Sequence, residues 1–586
     1  MLAKTVVPSP RVKPVDRRTF LRVAAASAAT TLHLAGCNDE EVSPVASAGG
    51  FPQGVASGDP TPDSVLLWTR VETSGSATVR YEVASDEGFA NVVASGEATT
   101  DADRDFTVRI DVDGLTAGTT YWYRFSNGDA VSTIGRTRTA PPPDADVPVR
   151  IALASCQDFA GRWFHAWQAL LEREVDLVLF IGDYIYETIG HLEAELPPER
   201  TIEMPDGLAL DDPLKGTLAA LTLADYRALY RQYRRDPDLQ AVHAKFPFVT
   251  IWDDHEFAND GWQDHATDFD DRRGDEKSTA RREAATRAWY EHHPIRRPYD
   301  AAAGFPNDIS VQRALRWGKN VELVLLDERY HRDDHLVPEG PVDAEVGHIT
   351  ENSALGSRTF VIKDAFDERE AIAKPTMLGA AQLDWAVETI NASTATWKVL
   401  ASPLVMAQMV LDLSGYEQLP EMFRQRFYFK TDQWDGFRSE RRALLEACAG
   451  VDNLVVLSGD LHGSYAAELH ADFDNPAEPI AVEYAVSAVS APTIEVQLTE
   501  VIEQNELLDA LGLGELVPEF DANVLATNPF FRHAESTRNG LAIVEVTAAE
   551  VGVTFVETSD PTQKTGEVVR EVSFVTRAGS RTVEPR

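Results

Sequence analysis

Four short clusters carry the residue types that bind metal ions and move protons. They are Ser155-Cys156-Gln157-Asp158, Gly182-Asp183-Tyr184-Ile185-Tyr186-Glu187, Asp253-Asp254-His255-Glu256 with Asn259-Asp260 beyond it, and Gly459-Asp460-Leu461-His462-Gly463. Together they supply carboxylates, imidazoles, a thiol and phenols, with hard oxygens in the majority, which is a metal-ligand inventory. A glycine ahead of Asp183 and ahead of Asp460 lets the backbone come close to an ion. One carboxylate can bridge two cations, and two cations about 3.5–4 Å apart activate a water and hold phosphoryl oxygens for in-line displacement. Taken singly, a cysteine that ends an apolar strand belongs in a core, and Tyr184 reads as packing. Asp253 reads as an outer partner that orients a ligand. His292, His293, His331 and His335 lack the strand-end setting and read as structural or surface residues. Arg329 either salt-bridges in the core or steers phosphate, and Trp434-Asp435-Gly436 is a turn or a roof over the site.

Each cluster follows an apolar run, and these runs must position it. Buried strands are expected at 149–155, 176–181, 248–252, 321–326, 397–402 and 453–457. They alternate with helices at 164–174, 223–235, 278–291, 380–390 and 440–449. Later strands are expected at 480–486, 541–546, 551–556 and 567–576. Such alternation predicts an α/β layered core with the chemistry on loops at the carboxyl ends of strands. Ahead of it, residues 51–139 hold short period-two runs at 78–83, 106–112 and 120–125, separated by turn residues. They predict a small β-sandwich of immunoglobulin or fibronectin type. The proline-rich stretch 140–148 is the expected linker to a catalytic domain at 149–586.

With these motifs in place, the chain resembles the metallophosphoesterases, whose pattern runs GDxxY, then a four-residue block ending in His-Glu, then GHxH. Here the blocks are Gly182-Asp183-Tyr184-Ile185-Tyr186, Asp253-Asp254-His255-Glu256 and Gly459-Asp460-Leu461-His462. Three departures mark it further. Asp254 replaces the usual Asn, Asp460 replaces the first His of GHxH, and Cys156 stands for the leading Asp. These are the variants of the alkaline phosphatase D family. Phe51-Pro52-Gln53-Gly54 leading to Leu67-Trp68-Thr69-Arg70, then Leu378-Gly379, and Asp432-Gln433-Trp434-Asp435-Gly436 extend the likeness over nearly the whole chain. The resemblance implies a calcineurin-like layered sandwich of two mixed sheets flanked by helices. It implies a secreted, metal-dependent alkaline phosphatase that hydrolyses phosphate mono- and diesters for phosphate scavenging. By the same resemblance, Cys156, Tyr186 and His462 hold Fe(3+), Asp254 and Asp460 hold Ca(2+), and Asp183 is shared. Asn259 helps hold a calcium ion or the phosphate, and His255 stabilises the transition state or protonates the leaving group. A phospholipase D-like phosphodiesterase is the alternative within this fold, and an inactive surface-binding lipoprotein the alternative outside it.

The N-terminus reads as an address. Arg17-Arg18-Thr19-Phe20-Leu21-Arg22 opens an Ala-rich apolar run that has the pattern of a twin-arginine signal over residues 1–36. That run is too short to span a bilayer. Leu34-Ala35-Gly36-Cys37 resembles a lipobox. The expected partners are therefore the twin-arginine export machinery and a membrane reached through a lipid on Cys37. Residues 37–50 form the tether, and the product is a periplasmic or cell-surface monomer. Cys156 and Cys448 then remain. A disulfide between them would suit an exported protein, but it would take Cys156 from the metal set. The formal net charge of -40 argues against nucleic-acid partners. An anionic substrate then needs a strong local positive field, which a metal cluster supplies.

Overall fold

The computed structural model describes residues 50–190, 196–210, 217–266, 276–337, 358–504, 509 and 512–586. The signal, Cys37 and all of the tether but Gly50 lie outside the described residues. No described helix is long and apolar enough to cross a membrane.

Two large mixed sheets face each other. The first has ten strands, with Asn539–Val546, Val149–Ala154, Leu177–Ile181 and Phe248–Ile251 adjacent at its centre. The last three of these run parallel. The second has seven strands, and its parallel centre is Val321–Leu325, Trp397–Ala401, Leu454–Ser458 and Ala481–Ala485. Both cores follow from strand periodicity. Leu323, Leu325, Val399, Val455 and Leu457 point inward to the core shared with Ile151, Leu179 and Ile251. Their neighbours Val324, Leu400 and Val456 point outward, beneath Ala386 and Ile390 of helix Ala380–Ala392 and Leu444 of helix Arg438–Ala447. A strand buried on both faces reads as a continuous apolar run, as these do.

The helices start where capping chemistry allows. Thr222 and Asp225 form a reciprocal capping box at helix Leu223–Tyr233. Helix Pro237–Lys245, which hydrophobic periodicity does not reveal, has Asp236 accepting from the Leu239 amide and proline at its first position.

Residues 51–139 form two sheets around their own core of Val55, Leu67, Val79, Val83, Tyr121 and Phe125. One sheet contains Val92–Thr100, Ala77–Ala84 and Thr120–Asn127. The other, with Val55–Gly58, Val65–Arg70 and Thr107–Val112, is the edge of the ten-stranded sheet. The sheet thus crosses the boundary expected at 140–148. Val55–Gly58 is buried along its whole length and has no polar face to offer solvent. Gly58 lets it lie against Phe248, since a Cβ there would meet the Pro294 and Phe248 carbonyl oxygens at 2.3 and 2.8 Å. Polar ties add to this. Arg313 pairs with Asp59 at 2.9 Å, and the Trp68 indole donates to the Glu291 carbonyl at 2.8 Å.

Candidate metal centre

The ends of Val149–Ala154, Leu177–Ile181, Phe248–Ile251 and Leu454–Ser458 converge, and the backbone there is strained. Cys156, Asp183, Asp460 and His462 all have left-handed φ values, 58°, 59°, 60° and 53°. Such conformations cost non-glycine residues of order 1–3 kcal/mol and persist where the surroundings impose them. Two glycines let the loops meet. A Cβ on Gly182 (φ 109°) would lie 2.4 Å from the Asp253 Cβ and 2.8 Å from its amide nitrogen. A Cβ on Gly459 would lie 2.5 Å from Ser155 Oγ, so this glycine brings the second sheet's loop onto the first. Gly182→Ala is expected to lower stability by about 2–4 kcal/mol, read as a shift in the urea unfolding midpoint.

Glu256 ties the loops together. Its carboxylate accepts from the amides of Asp183 at 3.0 Å, Tyr184 at 2.7 Å and Asp253 at 2.8 Å. The motif contains this residue, but its function as a brace depends on two bonds that span 73 and 72 positions and have no local signature.

The donor atoms form two groups that share one residue. Donor atoms of Cys156, Asp183 and His462 lie within 4.8 Å of one another, and so do those of Asp183, Asp253, Asp254 and Asp460. Tyr186 joins the first group, its hydroxyl 3.4 Å from Asp183 and 3.2 Å from His462 Nε2. His462 Nδ1 is held by the Pro492 carbonyl at 2.6 Å, which fixes the proton there and leaves Nε2 to ligate. Burial pushes the His462 pKa down to about 3, so the ring is neutral, the form that can ligate a cation.

Charge gives the same reading. Burial, then the Asp254, Glu256 and Asp460 carboxylates, push the Asp183 pKa well above the ordinary range despite His255. Burial followed by Asp183 does the same to the Cys156 thiol, and burial followed by Cys156 to the Tyr186 phenol. These groups ionise together only with cations among them, and a bound cation reverses each shift. The donor set therefore fits metal.

His255 stands beside this cluster. Its Nδ1 lies 2.6 Å from Glu187, which is fully buried and also accepts from the Asn259 amide at 2.8 Å. Burial lowers the His255 pKa, but Glu187, Asp254 and Asp183 outweigh it and hold the imidazolium. A ring nitrogen lies in one group with Asp183 and Asp254. The structure thus brings together Cys156, Asp183, Tyr186, Asp254, His255, Asp460 and His462, and places Asn259 in the turn after His255. Glu187 gains an orienting role that its place in the sequence did not reveal.

Other assignments resolve. Arg329 is a core brace, with Nε donating to Asp253 and its two terminal nitrogens to Asp432 at 3.0 Å each. Arg332 and His335 reach the same Asp432 at 3.2 and 2.6 Å. The trio Asp254, Asp260 and Asp432 is also close enough to chelate, but protein cations already meet it. Tyr184 is core, its hydroxyl 2.8 Å from His243. His292 and His293 are buried rather than on the surface. Trp434–Phe437 is a buried 3-10 turn. Cys156 and Cys448 are both free and buried, so the disulfide does not form.

Comparison with known proteins accounts for the same features. Residues 151–555 match the family model of the PhoD-like phosphatase, and residues 36–141 match that of the PhoD-like phosphatase N-terminal domain. Alkaline phosphatase D of Bacillus subtilis (strain 168) is 31% identical over 485 residues, covering 79% of this chain and 74% of that protein. The solved structure of PhoD superposes with a TM-score of 0.70 at 26% identity, covering 93% of each chain. The chain belongs to the PhoD-like phosphatase family and is a phosphoric ester hydrolase of the alkaline phosphatase kind, with a metal cofactor.

Proposed function

We propose that the chain hydrolyses phosphate mono- and diesters by attack of a metal-activated water, for phosphate scavenging outside the cytoplasmic membrane. The observation that carries this reading is Asp183, the one carboxylate common to both donor groups. Cys156, Tyr186 and His462 would hold Fe(3+), since thiolate and phenolate suit iron. Asp254 and Asp460 would hold Ca(2+), with Asn259 contributing and Asp183 shared. When bound, the metals supply Lewis acidity and a nucleophile at the working pH. The chain's own residues do the rest. Glu256 fixes the two loops, Pro492 fixes the His462 tautomer, and Glu187 orients His255 so that its ring can donate a proton to the leaving oxygen.

The twin-arginine motif supports export by that route, and Cys37 supports a lipid anchor at the periplasmic or cell surface. We take the mature chain as a monomer, with the two sheets of 51–139 as an immunoglobulin- or fibronectin-like sandwich.

Elemental analysis of natively exported protein, with a visible spectrum of the same sample, tests the metal assignment. Iron near one per chain, calcium, and a phenolate-to-iron absorption band that Tyr186→Phe removes are expected. Zinc or manganese alone would undo the roles given to Cys156 and Tyr186.

A further inference from the structure

Lys430 is absent from every motif above. It ends strand Arg426–Lys430 of a small three-stranded sheet with Thr359–Ile362 and Val410–Asp412. The chain just beyond it serves the metal centre, because Asp432 clasps Arg329 and Gln433 donates to Asp460. Lys430 is thereby carried to the same carboxylates. Its ammonium lies 3.6 Å from Asp260 and 3.7 Å from Asp460. Both distances exceed a charge-assisted hydrogen bond, so the ammonium is drawn to the acids without being spent on either. The arginines around these carboxylates, Arg329, Arg332 and Arg358, have fully buried side chains, whereas that of Lys430 is 19% exposed. His255, on the other side of Asp254, is also partly exposed at 14%, but Lys430 is the one of these cations that carries its charge on a flexible stem.

We propose that Lys430 binds a non-bridging oxygen of the substrate phosphoryl group and so favours phosphate monoesters over diesters. At alkaline pH a monoester phosphoryl is a dianion and a diester a monoanion. The chain's net charge of -40 repels the dianion more strongly at long range. A flexible, strongly hydrated ammonium beside the metal carboxylates offsets that where the phosphoryl arrives. The inference rests on the proposed hydrolysis of both ester classes and names what sorts them.

The test compares p-nitrophenyl phosphate with bis-p-nitrophenyl phosphate for the wild-type enzyme, Lys430→Gln and Lys430→Arg, with metal content measured on each. Lys430→Gln is expected to lower kcat/KM for the monoester about tenfold, mainly through KM, and to lower the diester value several-fold less. The inhibition constant of inorganic phosphate should rise by a factor similar to the monoester KM. Lys430→Arg, which keeps the charge, should retain the monoester preference. Equal losses on both esters with metal retained would overturn the proposal. So would a loss in Lys430→Gln that follows metal content while its ester preference, at matched metal loading, stays equal to that of the wild type. A wild-type enzyme that turns over only one ester class would instead overturn the broader substrate reading, and this inference with it.

Discussion

Asp183→Asn is expected to lower kcat/KM by on the order of 10³-fold or more for every phosphate ester, with loss of metal from both donor groups. The substitution keeps shape and removes charge, so the loss reports ligation rather than packing. Asp183 stands in both groups of converging donors, and no neighbour can replace it. Asp253 is committed to Arg329, and Glu256 to three backbone amides. A second readout has the opposite sign. In metal-free protein the folded-state pKa of Asp183 is raised, chiefly by burial and then by Asp254, Glu256 and Asp460 against His255. A carboxyl whose folded pKa exceeds its unfolded value loses stability as pH rises from the unfolded toward the folded pKa. At alkaline pH the metal-free Asp183→Asn protein should therefore melt above metal-free wild type, and with metals supplied it should melt below. A variant less stable in both conditions would mean that Asp183 is a structural acid and not a shared ligand.

How far the sequence carries depends on the range over which each signal acts. The central strands were legible because they are buried on both faces, which makes unbroken apolar runs such as 177–181 and 454–458. The helix at 223–233 follows from its period, with Tyr226, Leu229, Tyr230 and Tyr233 on its buried face. The clusters that converge were legible because each follows such a run, where parallel sheets gather their loops. What stayed hidden is tertiary. The sheet that delivers Lys430 pairs Thr359 with Lys430 and Val410 with Tyr428, across separations no local pattern encodes. Glu187 and Glu256 lie inside the quoted motifs, yet His255 for the one and Asp183 and Tyr184 for the other sit tens of residues away. The junction of 51–139 with the rest of the ten-stranded sheet has the single strand-register pair Gly58 and Phe248, and its other ties, such as Arg313 to Asp59, join residues far apart in sequence. A proline-rich stretch marks a boundary in composition, and a sheet can still run across it.

Arg329 makes a large demand on stability. Its guanidinium is fully buried and forks to Asp432 on one side and Asp253 on the other, with Asp254 at 3.7 Å. Removing one partner of a buried ionic group leaves uncompensated charge and costs about 3–5 kcal/mol. Arg329→Met should destabilise the metal-loaded protein by that amount in urea unfolding. Asp432 keeps Arg332 and His335, so the loss falls mainly on Asp253. That carboxylate flanks Asp254, the proposed ligand, and metal affinity should fall about 10–100-fold, as for other outer partners of ligands. Lysine cannot reproduce the planar fork, so Arg329→Lys should recover less than half of the stability. A double change to Arg329→Met with Asp253→Asn separates the two effects. If the cost comes from unpaired charge, the second substitution should restore stability while leaving metal affinity low. If instead Arg329 acts by filling space, Arg329→Met alone should be nearly as stable as wild type, and the charge brace beneath the metal centre would be wrong.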